Sequence, residues 1–342
     1  MKMTMIPKEI NHKAAIEISP SMRYDGNESF KAWQTRAKEK LRELLGIDEI
    51  LKNKPESDSF NIEYVKEEDE YTEYRFTLSS EKGYYFPSVM RVPKGVSAPM
   101  PLCVTLQGHS TGMHISLGTP KFPNDEISIS GGDRDFVRRA LKEGFCAVAI
   151  EQRNFGECGG DEETGEPQCT VSALAALISG RTTIGERAVD TSCVIDALLK
   201  NFDFIDENRI VLMGNSGGGT ATYYTACLDE RISLAMPSCA VCTYKDSIAA
   251  MHHCACNFIP NIAKYFDMGD LAGLIAPRKL VIVNGLNDKI FPNNGVLESF
   301  EVAKSLYAAA GVPDLVSLVT GPEGHRFYAD LAWPKAHELL NK

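Results

Sequence analysis

The chain has 342 residues, of which 44% are hydrophobic and 24% charged, a balance that excludes a disordered, collagen-like or coiled-coil protein. Its 36 basic and 46 acidic side chains give a formal net charge of −10. An acidic surface repels phosphate backbones, so we expect no nucleic-acid partner. The ten cysteines lie mostly in apolar runs. The first twenty residues contain no continuous apolar core of a signal peptide, and no uncharged apolar run approaches the roughly 20 residues of a membrane span. The sequence therefore predicts a cytoplasmic protein with no membrane partner.

The first predicted helix lies between residues 30 and 44, where apolar side chains recur at helical spacing. Ser29 directly precedes it and suits an N-cap, and Gly46 stands where a left-handed residue ends a helix. This pattern indicates an amphipathic helix packed on a core.

Three antiparallel strands are expected next, over residues 60–66, 71–79 and 84–92, because polar and apolar side chains alternate there. The charged run 66–70 predicts an exposed turn between the first two strands. Pro87 donates no backbone hydrogen bond, so we expect it at a sheet edge or a bulge.

From residue 101 the pattern changes to short, continuous apolar runs separated by helical stretches. Such runs are typical of parallel strands buried on both faces, with helices as right-handed crossovers. We predict an α/β protein with a mostly parallel central sheet flanked by helices. Residues 1–98 add a helix and antiparallel edge strands, and 99–342 form the core, with insertions near 107–133 and 151–180. The apolar runs are 102–106, 145–150, 210–213, 232–236, 280–283 and 315–319.

A glycine-rich segment, Gly214-Asn215-Ser216-Gly217-Gly218, follows the run 210–213 and precedes a helical stretch. In this strand–turn–helix context the G-x-S-x-G pattern predicts a nucleophilic serine on a tight turn, with glycines where strand and helix pass closely. A phosphate-binding loop would instead end in Gly-Lys-Ser/Thr or follow the G-x-G-x-x-G pattern, and neither is present.

A nucleophilic serine needs a histidine base and an acid that orients it, in the chain order serine, acid, histidine. Asp288 follows the run 280–283 and His325 follows the run 315–319, so both should lie at the carboxyl edge of the sheet. Two simpler interpretations remain open, namely that Asp288 only caps a helix and that His325 is an ordinary loop residue. Asp246 is a second candidate for the acid, whereas His337, His252 and His253 fit the order or the location less well.

An oxyanion hole requires two backbone N–H groups aimed at the developing negative charge. Gly217, directly after the nucleophile, is expected to supply one, and the backbone amide of His109 the other, since Gly108 lets this loop approach the substrate. We expect no catalytic role for the ring of His109.

The segment His252-His253-Cys254-Ala255-Cys256, with Cys239 and Cys242 before it, raises the question of a metal site. Cys239 and Cys242 end an apolar strand, and adjacent histidines usually point in different directions. We therefore expect this segment to line a pocket, and we expect neither a metal ion nor another cofactor.

Together these motifs resemble the α/β-hydrolase serine esterases, and within them the acetyl xylan esterase and dienelactone-hydrolase-like group. The resemblance implies the α/β-hydrolase fold. Serine in place of a cysteine nucleophile argues against dienelactone hydrolysis itself, and Gln107 stands where many relatives have histidine. The motifs that carry the resemblance are Gln107-Gly108-His109, Arg153-Asn154-Phe155-Gly156-Glu157, Gly180-Arg181-Thr182, Gly185-Glu186-Arg187, the Ser216 motif, Asp288 with Pro292, and Gly324-His325.

The sequence thus predicts a serine hydrolase of short-chain, acetyl esters of carbohydrates, acting through an acyl-enzyme intermediate. The alternatives are a serine peptidase of the dipeptidyl-peptidase type and an inactive α/β-hydrolase that serves as a binding protein. The expected partner is a small-molecule or oligosaccharide ester, and association into a homo-oligomer is left open. The candidate substrate-pocket residues are Gln107, Gly108, Asn215, Arg153 and His253.

Overall fold

A computed structural model describes residues 6–55 and 59–342. Within these residues nine strands form one sheet, and helices cover both of its faces. The strands are β1 Asn61–Glu67, β2 Tyr71–Glu81, β3 Tyr84–Pro93, β4 Met100–Leu106, β5 Cys146–Ile150, β6 Ile205–Asn215, β7 Ile232–Ser238, β8 Lys279–Gly285 and β9 Val316–Gly321. The helices are α1 Pro7–Glu17, α2 Phe30–Leu45, α3 Ile47–Leu51, α4 Phe136–Lys142, α5 Cys169–Ile178, α6 Thr183–Asn201, α7 Gly217–Leu228, α8 Ile262–Tyr265, α9 Met268–Ile275, α10 Asn293–Ala309 and α11 Ala329–Leu340.

The strand order is β1-β2-β3-β5-β4-β6-β7-β8-β9. Strand β2 pairs antiparallel with β1 and with β3, and β3 pairs antiparallel with β5. The remaining neighbours in this order, from β5 through β4 to β9, pair in parallel. The mostly parallel sheet and each predicted strand are therefore confirmed. The boundary at residue 98 stays a prediction, although pairing between β3 and β5 joins the two parts in one sheet. None of the helices in the described ranges is long and apolar enough to cross a bilayer.

Local sequence explains the N-terminal elements. The Ser29 hydroxyl accepts a hydrogen bond from the Ala32 amide at the start of α2, and Gly46 ends that helix with φ 71°. The expectation for Pro87 was wrong, because it lies in an inner strand and at no bulge. Pairing of β3 with β5 runs from Ser88 to Arg91, so Pro87 lies just beyond it, and its carbonyl accepts a hydrogen bond from the Glu151 amide.

Side chains alternate between two cores along each buried strand. On β4, Leu102 and Val104 pack into the larger core with α7, while Cys103 faces the smaller core with α4 and α11. The helix after β4 and the helix after β6 therefore cover opposite faces of the sheet. Strands β4 and β6 are neighbours, so this is the point at which open α/β sheets leave a crevice at their carboxyl edge.

The two long connections, 107–133 and 151–180, meet at one buried carboxyl group. The Glu151 side chain directly follows β5 and is 2% exposed as a residue. It accepts hydrogen bonds from the Gln107 side-chain amide and the Met113 backbone, both at 3.0 Å, and a longer one of 3.4 Å from the Glu157 backbone. Burial raises the pKa of Glu151 to about 8 against the opposing effect of these backbone donors.

We expect Glu151→Gln to gain stability relative to the wild type as the pH rises from about 5 to about 8. The folded protein holds a proton that the unfolded chain releases near the ordinary value of 4.5. The stability that this group contributes is full below about pH 4.5 and is lost as the pH rises through about 8, at up to roughly 1.4 kcal/mol per pH unit. Urea unfolding of both proteins across this range measures the difference.

Glu157→Gln is the matched control on the same connection. A hydrogen bond with Arg75 lowers the pKa of Glu157, so this carboxyl stays ionised throughout that range and the control difference should be flat. A flat difference for Glu151→Gln as well would show that Glu151 is ionised in the folded protein.

Candidate active site

Ser216 occupies the turn between β6 and α7. Its backbone has φ 56° and ψ −125°, a conformation that strains any residue with a Cβ. The turn packs against the end of β4: a Cβ on Gly214 would lie 2.5 Å from the Leu106 carbonyl oxygen, and a Cβ on Gly218 would collide with the same atom. Glycine at these two positions lets strand, turn and helix pass this closely, for the reason that the sequence pattern suggests.

Asp288 and His325 meet at the same edge of the sheet. Asp288 follows β8 and His325 follows β9, and the His325 Nδ1 atom lies 2.7 Å from Asp288 Oδ2. With Nδ1 held by the carboxylate, the Nε2 atom of the ring is the one left for proton transfer. A helix cap at Asp288 and an ordinary loop residue at His325 would not require the two side chains to meet. Neither of these simpler interpretations therefore accounts for the contact.

The second oxygen of Asp288 also has partners. Its Oδ1 atom accepts hydrogen bonds from the backbone amides of Ile290 and Phe291, at 2.9 and 3.1 Å. Burial alone would raise the pKa of Asp288, but the hydrogen bond and charge of His325 together with these amides outweigh it and hold the pKa below its ordinary value. The carboxylate is therefore ionised and fixed in orientation.

The competing residues lie elsewhere. The Asp246 carboxylate accepts a hydrogen bond from the Thr243 hydroxyl at 2.5 Å. The ring of His337, which lies on α11, pairs with the Glu143 carboxylate at 2.7 Å. His252 is exposed. These positions leave Asp288 as the carboxylate that contacts the candidate base.

The loop after β4 lies directly against the Ser216 turn. A Cβ on Gly108 would lie 2.7 Å from the Asn215 carbonyl oxygen and 3.0 Å from the Ser216 Cβ, so only glycine permits this approach. The imidazole of His109 packs on Gly217, where an added Cβ would come within 2.8 Å of the ring. Gly217 is the first residue of α7, so its N–H has no acceptor within the helix and is available to a ligand.

Three of the five candidate pocket residues have side chains that are committed within the protein. Gln107 and Asn215 are fully buried. The Gln107 side-chain amide donates a hydrogen bond to the Glu151 carboxyl group, and the Asn215 side-chain oxygen Oδ1 accepts one from the Ser238 hydroxyl. The Arg153 guanidinium makes two hydrogen bonds to Asp190, of 2.8 and 2.9 Å. Each of the three side chains therefore has a partner within the protein, although the Gln107 Oε1 and Asn215 Nδ2 atoms have none. Their assignment to the substrate pocket stays a prediction.

The Arg153 side chain belongs to a buried ion network between β2 and α6. Besides Asp190 it contacts Glu81 at 2.6 Å, and Arg181 also reaches Glu81. Its guanidinium lies 4.1 Å from the centre of the Tyr84 ring. The network anchors the connection 151–180 to the sheet and to the start of α6.

His253, the remaining pocket candidate, lies near the Asp288–His325 pair. The Phe291 ring stands between the two histidines, 5.4 Å from the His253 ring and 6.0 Å from the His325 ring between centroids. The His253 Nε2 atom lies 3.2 Å from the Ser247 hydroxyl. Burial lowers the pKa of His253 to about 4, so its ring is neutral and suits the wall of a pocket.

Two further residues reach the site without a signal in the sequence. The Cys239 sulfur, at the end of β7, lies within 4.8 Å of Asp288 and His325 ligand atoms. The Arg187 guanidinium, on α6, stacks over the Phe155 ring at 4.3 Å and donates to the Arg153 carbonyl oxygen at 2.8 Å. Arg187 belongs to a motif of the resemblance, but nothing local indicates that α6 brings it beside the turn of Gly217.

Comparisons with known proteins agree with this architecture. The sequence is 26% identical over 246 residues to "Putative hydrolase YtaP" of Bacillus subtilis (strain 168), which covers 70% of this chain and 77% of that protein. The structure is similar to that of a putative acetyl xylan esterase from Bacteroides fragilis NCTC 9343, with a TM-score of 0.82, 17% identity and coverage of 99% and 96% of the two chains. A glucuronoyl esterase from Solibacter usitatus gives a TM-score of 0.68 at 17% identity, over 95% and 98% of the chains.

At such low identity the two structural similarities concern the fold. The family comparison is more specific, because the model of the Abhydrolase family matches residues 4–321. That span contains every strand of the sheet described above, the Ser216 turn and Asp288, and it ends just before His325. The chain therefore belongs to the Abhydrolase family and has the α/β-hydrolase fold.

Proposed function

We propose that this member of the Abhydrolase family is a serine carboxylic-ester hydrolase in which Ser216, His325 and Asp288 act as a catalytic triad. The observation that carries the proposal is the 2.7 Å contact between His325 and Asp288, at the sheet edge where the strained Ser216 turn also ends. A serine hydroxyl is a weak nucleophile by itself, and an oriented imidazole supplies the base that it needs. The family and the relative described as a hydrolase support the same class of reaction.

The reaction follows from these positions. The Ser216 Oγ atom attacks the ester carbonyl carbon while its proton passes to His325 Nε2, and Asp288 stabilises the resulting imidazolium. The negative charge on the former carbonyl oxygen is stabilised by the N–H groups of Gly217 and His109. Collapse of this intermediate breaks the bond to the alcohol, which takes the proton from His325. Water then repeats the steps on the acyl-enzyme and releases the acid.

The proposed substrates are acetyl esters of carbohydrates. A cleft of about 480 Å³ lies between the two long connections. Its lining includes none of the proposed triad or oxyanion residues, but it is rich in hydrogen-bonding groups that suit hydroxylated alcohols. An acetyl xylan esterase and a glucuronoyl esterase among similar structures support a carbohydrate ester. The cleft is lined by Thr111, His114, Lys121, Phe122, Glu151, Gly156, Glu157, Gly159, Gly160, Asp161, Glu162 and Gly165.

The peptidase alternative would use the same triad, but the similar structures described as esterases favour ester over peptide hydrolysis. An inactive binding protein would need neither the strained backbone at Ser216 nor the pairing of His325 with Asp288. Both alternatives give distinct results in the assays below.

We expect Ser216→Ala and His325→Ala each to reduce turnover by about 10⁶-fold, and the double variant to lose little more, because the residues act as one unit. Hydrolysis of p-nitrophenyl acetate and labelling by a fluorophosphonate measure the effect. Ser305→Ala, at an exposed position on α10, is the control and should keep full activity. Near-normal hydrolysis by a folded Ser216→Ala protein would refute the proposed nucleophile.

We expect Asp288→Asn to be milder, at about 10⁴-fold, because the imidazole remains but loses the partner that fixes its tautomer. Asp246→Asn is the matched control, since this carboxylate bonds to Thr243, and its kcat should stay within a few-fold of the wild type. A larger loss with Asp246→Asn than with Asp288→Asn would show that Asp246, and not Asp288, is the acid of the triad.

We expect kcat/KM to fall roughly ten-fold or more between acetyl and octanoyl esters. A pocket that fits a short acyl group disfavours a longer one by about 1–3 kcal/mol for each methylene that does not fit. A p-nitrophenyl ester series, an acetylated xylo-oligosaccharide, a methyl glucuronate ester and a dipeptide anilide should be measured side by side. Preference for the octanoyl ester or the anilide would overturn the carbohydrate assignment even with the triad intact. Preference for the methyl glucuronate ester would overturn the acetyl assignment alone.

A further inference from the structure

Four side chains with metal-binding atoms converge beside the Ser216 turn. His109 lies in the loop after β4, and Cys169 begins α5. Cys254 precedes the short turn Ala255–Asn257, and Cys256 lies within it. The imidazole nitrogen and the three sulfur atoms all lie within 4.8 Å of one another. The His109 Nε2 atom is 3.1 Å from the Cys256 sulfur. Three separate segments of the chain thus bring metal-binding atoms to one point.

We propose that His109, Cys169, Cys254 and Cys256 bind a zinc ion. Three thiolates and one imidazole are a ligand set of structural zinc sites, which are tetrahedral and use four protein ligands. A tetrahedron with Zn–S bonds of about 2.3 Å has edges of about 3.8 Å, a spacing that fits atoms already within 4.8 Å of one another. Because the protein supplies all four ligands, the ion would have a structural role and leave the ester chemistry to the triad.

The surroundings of the cluster suit the charge of such a site. Zinc with three thiolates and a neutral imidazole carries a net charge of −1, and binding releases the thiol protons. The Arg187 guanidinium lies 3.8 Å from the Cys256 sulfur and provides both the opposite charge and an N–H donor to sulfur. Phe155, Cys169, Ala173 and Cys256 form a small apolar cluster apart from the two main cores, which excludes competing water.

The proposed site departs from the segment that the sequence singles out. Cys239 lies beside the Asp288–His325 pair, the Cys242 sulfur approaches the Pro292 carbonyl oxygen at 3.6 Å, and His253 faces Ser247. Only Cys254 and Cys256 remain from that segment, and the other two ligands come from distant parts of the chain. The sequence pattern that led us to expect no metal contains neither His109 nor Cys169.

Zinc at this place would hold the loop that carries the proposed oxyanion donor. Ligation through Nε2 leaves the proton on Nδ1 of His109, and the same ring packs on Gly217. The ion would thus tie the loop after β4 to α5 and to the turn at Ala255. This consequence for activity depends on the proposed function, whereas metal binding itself does not.

The test is the metal content of the full chain, purified without added metal or chelator and measured by mass spectrometry of the elements. We expect about one zinc per chain in the wild type and in Ser216→Ala, and a loss of at least ten-fold in Cys254→Ser/Cys256→Ser. Cys193→Ser and Cys158→Ser, both partly exposed thiols outside the cluster, are the controls and should retain the zinc. Co²⁺ in place of zinc should give the charge-transfer absorption of thiolate ligands.

Several outcomes would overturn the proposal. Wild-type protein that contains no zinc and takes up none on titration would do so, as would a disulfide among Cys169, Cys254 and Cys256. Zinc that persists in Cys254→Ser/Cys256→Ser would place the ion elsewhere. If that double variant does not fold, X-ray absorption of the wild-type protein decides, since the proposal requires three sulfur ligands and one nitrogen. An inactive protein that still holds zinc on these ligands would refute the esterase and leave the metal site in place.

Discussion

The close contact between the end of β4 and the turn after β6 is the constraint on which the rest of the site depends. The Leu106 carbonyl oxygen lies so near Gly214 and Gly218 that neither position has room for a Cβ. This contact presses Ser216 into its strained conformation and brings Gly108 against the serine. The same backbone packing thereby places both the proposed nucleophile and the proposed oxyanion loop at the crevice where helices leave the sheet on opposite faces.

Buried polar groups hold the two long connections around this crevice. Glu151 bonds to the Gln107 side chain and the Met113 backbone, and Arg153 links the second connection to Asp190. A buried carboxyl or guanidinium without partners would cost several kcal/mol, so each group requires its donors or acceptors to stay in place. Gln107 and Arg153, which the sequence suggests as pocket residues, thus also support the loops around the candidate site.

The proposed triad site and the proposed zinc site share the loop after β4. On one side its backbone faces Ser216, and on the other the His109 ring approaches the thiols of Cys169, Cys254 and Cys256. The triad proposal depends on the Asp288–His325 contact, and the zinc proposal depends on the convergence of four soft ligands. The two proposals use different atoms and can fail separately. Arg187 lies next to both, stacked on Phe155 and close to the Cys256 sulfur.

The sequence by itself determined the nine strands, the helix that begins after Ser29 and the turn at Ser216. Periodicity of apolar residues indicates strand or helix, and the glycines of the Ser216 motif leave the space that the turn needs. It also placed Asp288 and His325 after neighbouring strands, so their contact could be expected from the shared edge of a parallel sheet, while their catalytic role stays a proposal. Only the tertiary structure decided that Gln107, Asn215 and Arg153 point inward, and that His109 meets Cys256, 147 residues away. Local patterns encode which face of an element is buried, but the paths of long loops, and so the partners of their side chains, follow from how the packed elements direct the chain.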